Sequence, residues 1–200
     1  MARNFLLTRL HSLAGIFPLG LFLIEHLYSN SVAMFGAVQY NQQVERLQSI
    51  PFLSVVEIVL IAIPLFYHAV FGLYFAFIAR NNTISYSYSR NWMFLLQRLS
   101  GVVTLIFIVY HLWVFRIAHL LFGTPIDFNV VHTQLANPWI LSFYIIGIMS
   151  TTFHFSNGLW GALVTWGITV GPKAQQKSAM LAYTFFLILG GIGIATLFSF

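Results

Sequence analysis

Five apolar stretches, each long enough to cross a bilayer, make up most of this 200-residue chain, over residues 10–29, 52–79, 97–118, 139–166 and 179–200. A helix of about 20 residues crosses the ~30 Å hydrocarbon core. Inside that core each backbone N–H and C=O must be satisfied within its own segment, so runs of this kind are helices. The expected fold is all-α, a polytopic five-helix transmembrane bundle forming a single domain over residues 1–200. Charged residues make up 6% of the chain and hydrophobic ones 59%. A water-soluble domain carries roughly 25% charged residues, which excludes a soluble fold. The absence of cysteine excludes disulfides, thiolate-held iron–sulfur clusters and c-type haem attachment. The formal charge of +5 does not point to nucleic acid, because the basic residues are scattered among apolar runs rather than gathered into a stripe. Membrane lipid is the expected surrounding.

The first apolar run contains His11 and the Glu25-His26 pair and leads into a chain that is itself largely apolar. It is therefore expected to be a retained helix rather than a cleaved signal peptide. Pro51 and Pro138 fall at helix starts, where a missing N–H costs little. Pro64 lies inside the second run and is expected to bend it. Seven of the nine basic residues (Arg3, Arg9, Arg80, Arg90, Arg98, Lys173, Lys177) fall on one side of the bundle, against Arg46 and Arg116 on the other. By the positive-inside rule the N-terminus is expected in the cytoplasm of a bacterial cell and the C-terminus outside.

His26, His68, His111 and His154 each stand alone in one of the first four runs. An ionisable side chain inside a span marks a functional site, because hydrocarbon does not solvate it. Neutral imidazole is an axial ligand of haem iron, and four imidazoles on four successive helices fit two bis-histidine haems b. At 1.5 Å per residue, His26 lies about 25 Å beyond Arg9 and His111 about 20 Å beyond Arg98. Both belong in the outer half. His68 lies about 18 Å before Arg80, and His154 lies past the midplane on an inward-running helix. The expected pairs are therefore His68 with His154 on the inner side and His26 with His111 on the outer side.

Gly72 and Gly158 each follow an inner histidine by four residues, on the same helix face, where a missing side chain lets a flat macrocycle approach. Haem propionates need cations or hydroxyls near the membrane face. Arg9, His11, Ser12 and Arg98 supply them at the inner ends of the first and third helices, and Arg116 is the outer cation. His119 and His132 lie near span ends or in a loop, where water solvates them, and Glu45 and Asp127 are expected in loops. Glu57 lies just inside the outer end of the second helix. A carboxylate there can take up protons, pair with Arg116 or contact a quinone headgroup, so Glu57 and Arg116 are the quinone-site candidates. Residues 81–92, NNTISYSYSRNW, combine polar and aromatic side chains and fit either an interfacial belt or a docking surface.

The stretches RLHSLAGIFPLG, LIEHL, FYHAVFG, RNWMFLLQRLSG and FHFSNGLWGALVTWGITV, in this order across essentially the whole chain, resemble the membrane cytochrome b subunit of Gram-positive succinate:menaquinone oxidoreductases. That resemblance implies a five-helix anchor holding two haems b, with the family's ligands falling on His26, His68, His111 and His154. It also implies cytoplasmic flavoprotein and iron–sulfur partner subunits, docked around residues 81–98, and menaquinone as the substrate reduced near the outer face. Some related menaquinol:fumarate reductases carry a glutamate two residues before the last ligand; this chain has Thr152 there. The competing expectations are the cytochrome b subunit of another quinone-linked dehydrogenase, of a menaquinol:fumarate reductase or of a hydrogenase. A haem-free transporter using buried histidines for proton coupling belongs to a different class.

Overall fold

In the computed structural model, which describes residues 5–200, five apolar helical spans run over Phe5–Phe35, Leu53–Ile78, Ser89–Phe122, Pro138–Thr165 and Pro172–Leu197. No strand occurs among the described residues. Arg3, one of the basic residues used above to orient the chain, lies outside them. The second span contains no fully buried residue, and Phe66 and Phe77 on it are 74% and 84% exposed. In water such a surface would drive association; in a bilayer it is the face that meets lipid. The third and fifth spans pack against the fourth, and the first half of the first span packs against the second.

The spans are less regular than hydropathy alone implies. The first is broken at Phe17-Pro18, a cis peptide, into helices Phe5–Ile16 and Leu19–Ser31. Proline has no N–H to give to the turn before it, so a continuous helix over 10–29 was not available. In the second span a π-helical stretch, Ile58–Ala62, runs up to Pro64, which sits at the start of the following α-helix, Ile63–Ile78. The irregularity expected at Pro64 is thus taken up by the wider turns ahead of it. A second π-helical stretch, Leu112–Ile117, begins at the residue after His111. The third span starts at Ser89, earlier than expected, because polar Ser89, Arg90 and Asn91 form its first turn.

Short helices occupy two of the connections. Ala37–Gln48 contains Glu45, and Asp127 caps Phe128–Leu135, its Oδ1 accepting from the Val130 N–H at 2.9 Å. These two acids are therefore helix-body and helix-cap residues rather than loop residues. Ala33, Tyr40, Val131, Leu135, Tyr144 and Leu197 pack into one buried cluster at the end of the bundle that carries the C-terminus. Burial, with the Asp127 charge adding to it, pushes the Tyr40 hydroxyl up to about 12. At the opposite end residues 81–88 form an open connection on which Ile84 is 98% exposed. This end carries Arg9, Arg80, Arg90, Arg98, Lys173 and Lys177; all four acidic residues lie in the other half. The two ends are called the basic end and the C-terminal end below.

Candidate functional site

The bundle brings the four span histidines together in two pairs at two levels. His68 and His154 face each other near the basic end, with ring centroids 6.1 Å apart and planes at 85°. His26 and His111 do so toward the C-terminal end, at 5.6 Å and 87°. Each pair joins two non-neighbouring spans, the second with the fourth and the first with the third.

In the first pair the tautomers are set by backbone carbonyls. A carbonyl only accepts, so His68 donates its Nδ1–H to the His11 carbonyl, and His154 donates its Nδ1–H to the Gln97 carbonyl, each at 2.9 Å. Both Nε2 atoms are left with bare lone pairs, the form in which imidazole binds a metal. The spans carrying those carbonyls, the first and third, also approach the rings closely. A Cβ added at Gly15 would lie 2.5 Å from His68 Cε1, and one at Gly101 would lie 2.7 Å from His154 Cε1. Only glycine tolerates such an approach.

A cavity of about 710 Å³ opens around this pair and is lined by Arg9, His11, Ser12, Gly15, His68, Gly72, Arg98, Gly101, His154 and Gly158. Its size falls within the range of sites for cofactor-sized molecules. Gly72 and Gly158 line it, but their open sides face groups other than the paired imidazoles of His68 and His154. A Cβ at Gly72 would meet His11 at 3.3 Å, and one at Gly158 would meet Gln97 at 3.2 Å. The glycines against the imidazoles come from the facing spans, which same-helix spacing does not identify. His11 stacks on His68, with centroids 4.1 Å apart and planes at 13°. Its Nδ1 and the Nη1 of Arg98 are buried and have no partner. Arg98 donates to the Phe94 carbonyl through Nε and to Asn81 Oδ1 through Nη2. Arg9 packs its guanidinium over Phe5 and Trp166.

The second pair is held by side chains. His111 Nδ1 lies 3.3 Å from the hydroxyl of Tyr144, which is buried, and Phe107 packs against the His111 ring. Asn30 donates to the His26 carbonyl at 2.8 Å and has its amide 3.4 Å from His26 Nε2. Glu25, beside His26, accepts from Ser29, which in turn accepts from Gln43 at 3.2 Å. Glu57 and Arg116 form an ion pair joining the second and third spans. Glu57 immediately precedes the first π-helical stretch and Arg116 lies inside the second. An unpaired charge in a span costs about 2.5–3.5 kcal/mol at its centre, so each partner's charge supports the other. Arg116 is thereby committed to Glu57.

Of the remaining histidines, His119 Nδ1 donates to the Thr124 carbonyl at 2.8 Å, and His132 contacts the Phe200 carbonyl. Around residues 81–92, Asn91 binds Asn82 Oδ1 and the Tyr86 carbonyl, and Arg90 lies 3.7 Å over the Trp160 ring. Tyr86 and Tyr88 are 60% and 61% exposed. Sequence reasoning passed over Gln97 and Asn157, which meet at His154. The signal available was an uncharged amide inside each of the two motifs that carry QRLSG and FHFSNG.

A family model for the succinate dehydrogenase/fumarate reductase transmembrane subunit matches residues 78–192. The chain is 47% identical over 198 residues to the succinate dehydrogenase cytochrome b558 subunit of Bacillus subtilis (strain 168), a match covering 99% of this chain and 98% of that one. It is 36% identical over 98 residues to the succinate dehydrogenase hydrophobic membrane anchor subunit of Thermoplasma acidophilum, covering 48% of this chain and 77% of that protein.

Proposed function

The chain belongs to the succinate dehydrogenase/fumarate reductase transmembrane subunit family, and on that premise we propose that it is a di-haem anchor passing electrons to menaquinone. The observation that carries this reading is the pairing of four imidazoles at two levels, with centroids 6.1 and 5.6 Å apart. Two metal–imidazole bonds of about 2 Å laid end to end, with half a ring at either side, span roughly 6 Å. Among the described residues no group of three or more His, Cys, Asp or Glu comes together. Each pair would offer two imidazole nitrogens to a metal held otherwise by its own organic ring.

The residues near the basic end fit haem b. His68 and His154 would hold the iron through Nε2, in a cavity large enough for a macrocycle. Arg98 Nη1 and His11 Nδ1 are buried atoms lacking partners, and Arg9, Ser12 and Gly72 line the same cavity with Gly158. Cations there suit anionic propionates. His26 and His111 would hold the second haem. Bound haem supplies one-electron transfer at each level; the chain fixes ligand geometry, excludes water and places charge.

Near the C-terminal end, reduction of a quinone consumes protons as well as electrons. Glu57 and Arg116 are the pair proposed to serve that chemistry, since they form an ion pair between the second and third spans and Arg116 follows His111 by five residues. By the positive-inside rule the basic end faces the cytoplasm, and there residues 81–92 would receive iron–sulfur and flavoprotein subunits. Both curated relatives are succinate dehydrogenase subunits, which favours succinate oxidation over fumarate reduction as the direction. The test is haem quantitation in the detergent-purified complex, followed by addition of succinate. Two haems b per chain, reduced by succinate, are expected; a pure complex without haem would overturn the proposal.

A further inference from the structure

We infer that Gln97 is a positioning residue that fixes the orientation of the His154 imidazole and thereby sets the electronic properties of the inner haem site. This rests on the haem ligation proposed above and concerns a residue that is not itself a ligand.

Gln97 meets His154 twice, in opposite senses. Its backbone carbonyl accepts the His154 Nδ1–H at 2.9 Å, and its side-chain Nε2 donates to the His154 carbonyl at 2.9 Å. The two bonds close a loop between the third and fourth spans, centred on the ligand residue. The side chain is itself held, because Asn157 Nδ2 donates to Gln97 Oε1 at 2.7 Å and reaches the Met93 carbonyl at 3.4 Å. Ser100 Oγ also donates to the Gln97 carbonyl, at 3.1 Å. Gln97 Oε1 takes an N–H from Asn157, the Gln97 amide N–H has the His154 carbonyl, and the imidazole N–H has the Gln97 carbonyl.

Three consequences follow for the ring. The Gln97 carbonyl fixes the tautomer, leaving Nε2 free to ligate. The Gln97 side chain fixes the fourth span against the third, which determines where the ring sits above Gly101. The amide Nε2, 3.2 Å from His154 Nδ1, places the positive end of its dipole beside the ligand. Outer-shell hydrogen bonds of this kind orient metal-bound histidines and alter their basicity. His68 has the backbone part of this arrangement through His11, but the amide clamp is at His154.

The test uses the assembled complex with Gln97→Leu, which removes the amide and keeps the backbone carbonyl. Two readouts apply to the inner haem: its low-spin ferric electron paramagnetic resonance signal, whose anisotropy reports the angle between the two imidazole planes, and its redox titration. Both haems are expected to remain. The inner signal should change its g values, and its reduction equilibrium should shift about tenfold toward the oxidised form, which is 59 mV for one electron. The outer haem should not move. Asn157→Leu, which leaves Gln97 in place but unclamped, should give the same change to a smaller extent, and carries the test if Gln97→Leu does not assemble. An inner haem with unaltered g values and potential in these variants would overturn the inference while leaving ligation intact. A parent complex lacking the inner haem signal would overturn the ligation reading and this inference with it.

Discussion

The two halves of the bundle hold their histidine pairs by different means. Toward the basic end both imidazoles donate to backbone carbonyls, at 2.9 Å each, and glycines from the facing spans admit the rings. Backbone partners cannot change rotamer or protonation state, so this half presents a fixed pair of lone pairs to a rigid cavity. Toward the C-terminal end the partners are the side chains of Tyr144 and Asn30. All four acidic residues lie in that half, together with two π-helical stretches and the Glu57–Arg116 ion pair. The contrast matches a division of labour. On the proposed function, the basic-end site would only relay electrons and gains from rigidity, whereas the C-terminal half would serve quinone chemistry, which needs groups that exchange protons, and π-helical turns are frequent at functional sites.

Obstructing the rigid half should have the largest effect. Gly101→Leu places a side chain where even a Cβ would lie 2.7 Å from His154 Cε1, and His154 is too firmly bonded to step aside. The inner haem should be lost almost completely, with the outer haem retained; quantitation of haem per chain reads this directly. Retention of both haems at full occupancy would show that the close approach does not shape the site.

A smaller effect is expected in the other half. Glu57→Gln should leave both haems in place and reducible by succinate, yet lower quinone turnover about a hundredfold, the low end of what a positioned proton-transfer group contributes. Because the change also strands Arg116, the double variant Glu57→Met, Arg116→Met separates the two roles. Replacing both members of a buried ion pair by apolar residues is often neutral for stability. Turnover that stays low in the double variant assigns the pair to quinone chemistry; recovery to the parent rate assigns it to holding the spans together.

Much of the architecture was legible in the sequence because a bilayer imposes a strong pattern. Span number follows from hydropathy, and the histidine pairs followed from counting 1.5 Å per residue from charged ends for His26, His68 and His111, and from the inward run of its helix after Pro138 for His154. His26 meets His111 and His68 meets His154 because axial depth is a one-dimensional quantity that a helix preserves. What was not legible depends on how the spans are rotated about one another. The carbonyls of His11 and Gln97, and the open faces of Gly15 and Gly101, belong to spans other than those of the histidines they touch. Same-helix spacing picked out Gly72 and Gly158, which line the cavity but do not abut the imidazoles of His68 and His154. The two short helices at the C-terminal end escaped notice because Ala37–Gln48 is largely polar and Phe128–Leu135 is only eight residues long.

The proposed function puts two bis-histidine haems at two levels, each between alternate spans. It is tested most directly by redox titration of the haem absorption in four single variants, His26→Leu, His68→Leu, His111→Leu and His154→Leu, within the assembled complex. The His68 and His154 variants should lose one and the same spectral component, and the His26 and His111 variants should lose the other. Loss of a common component from the His68 and His111 variants, or a parent complex with a single component, would contradict it.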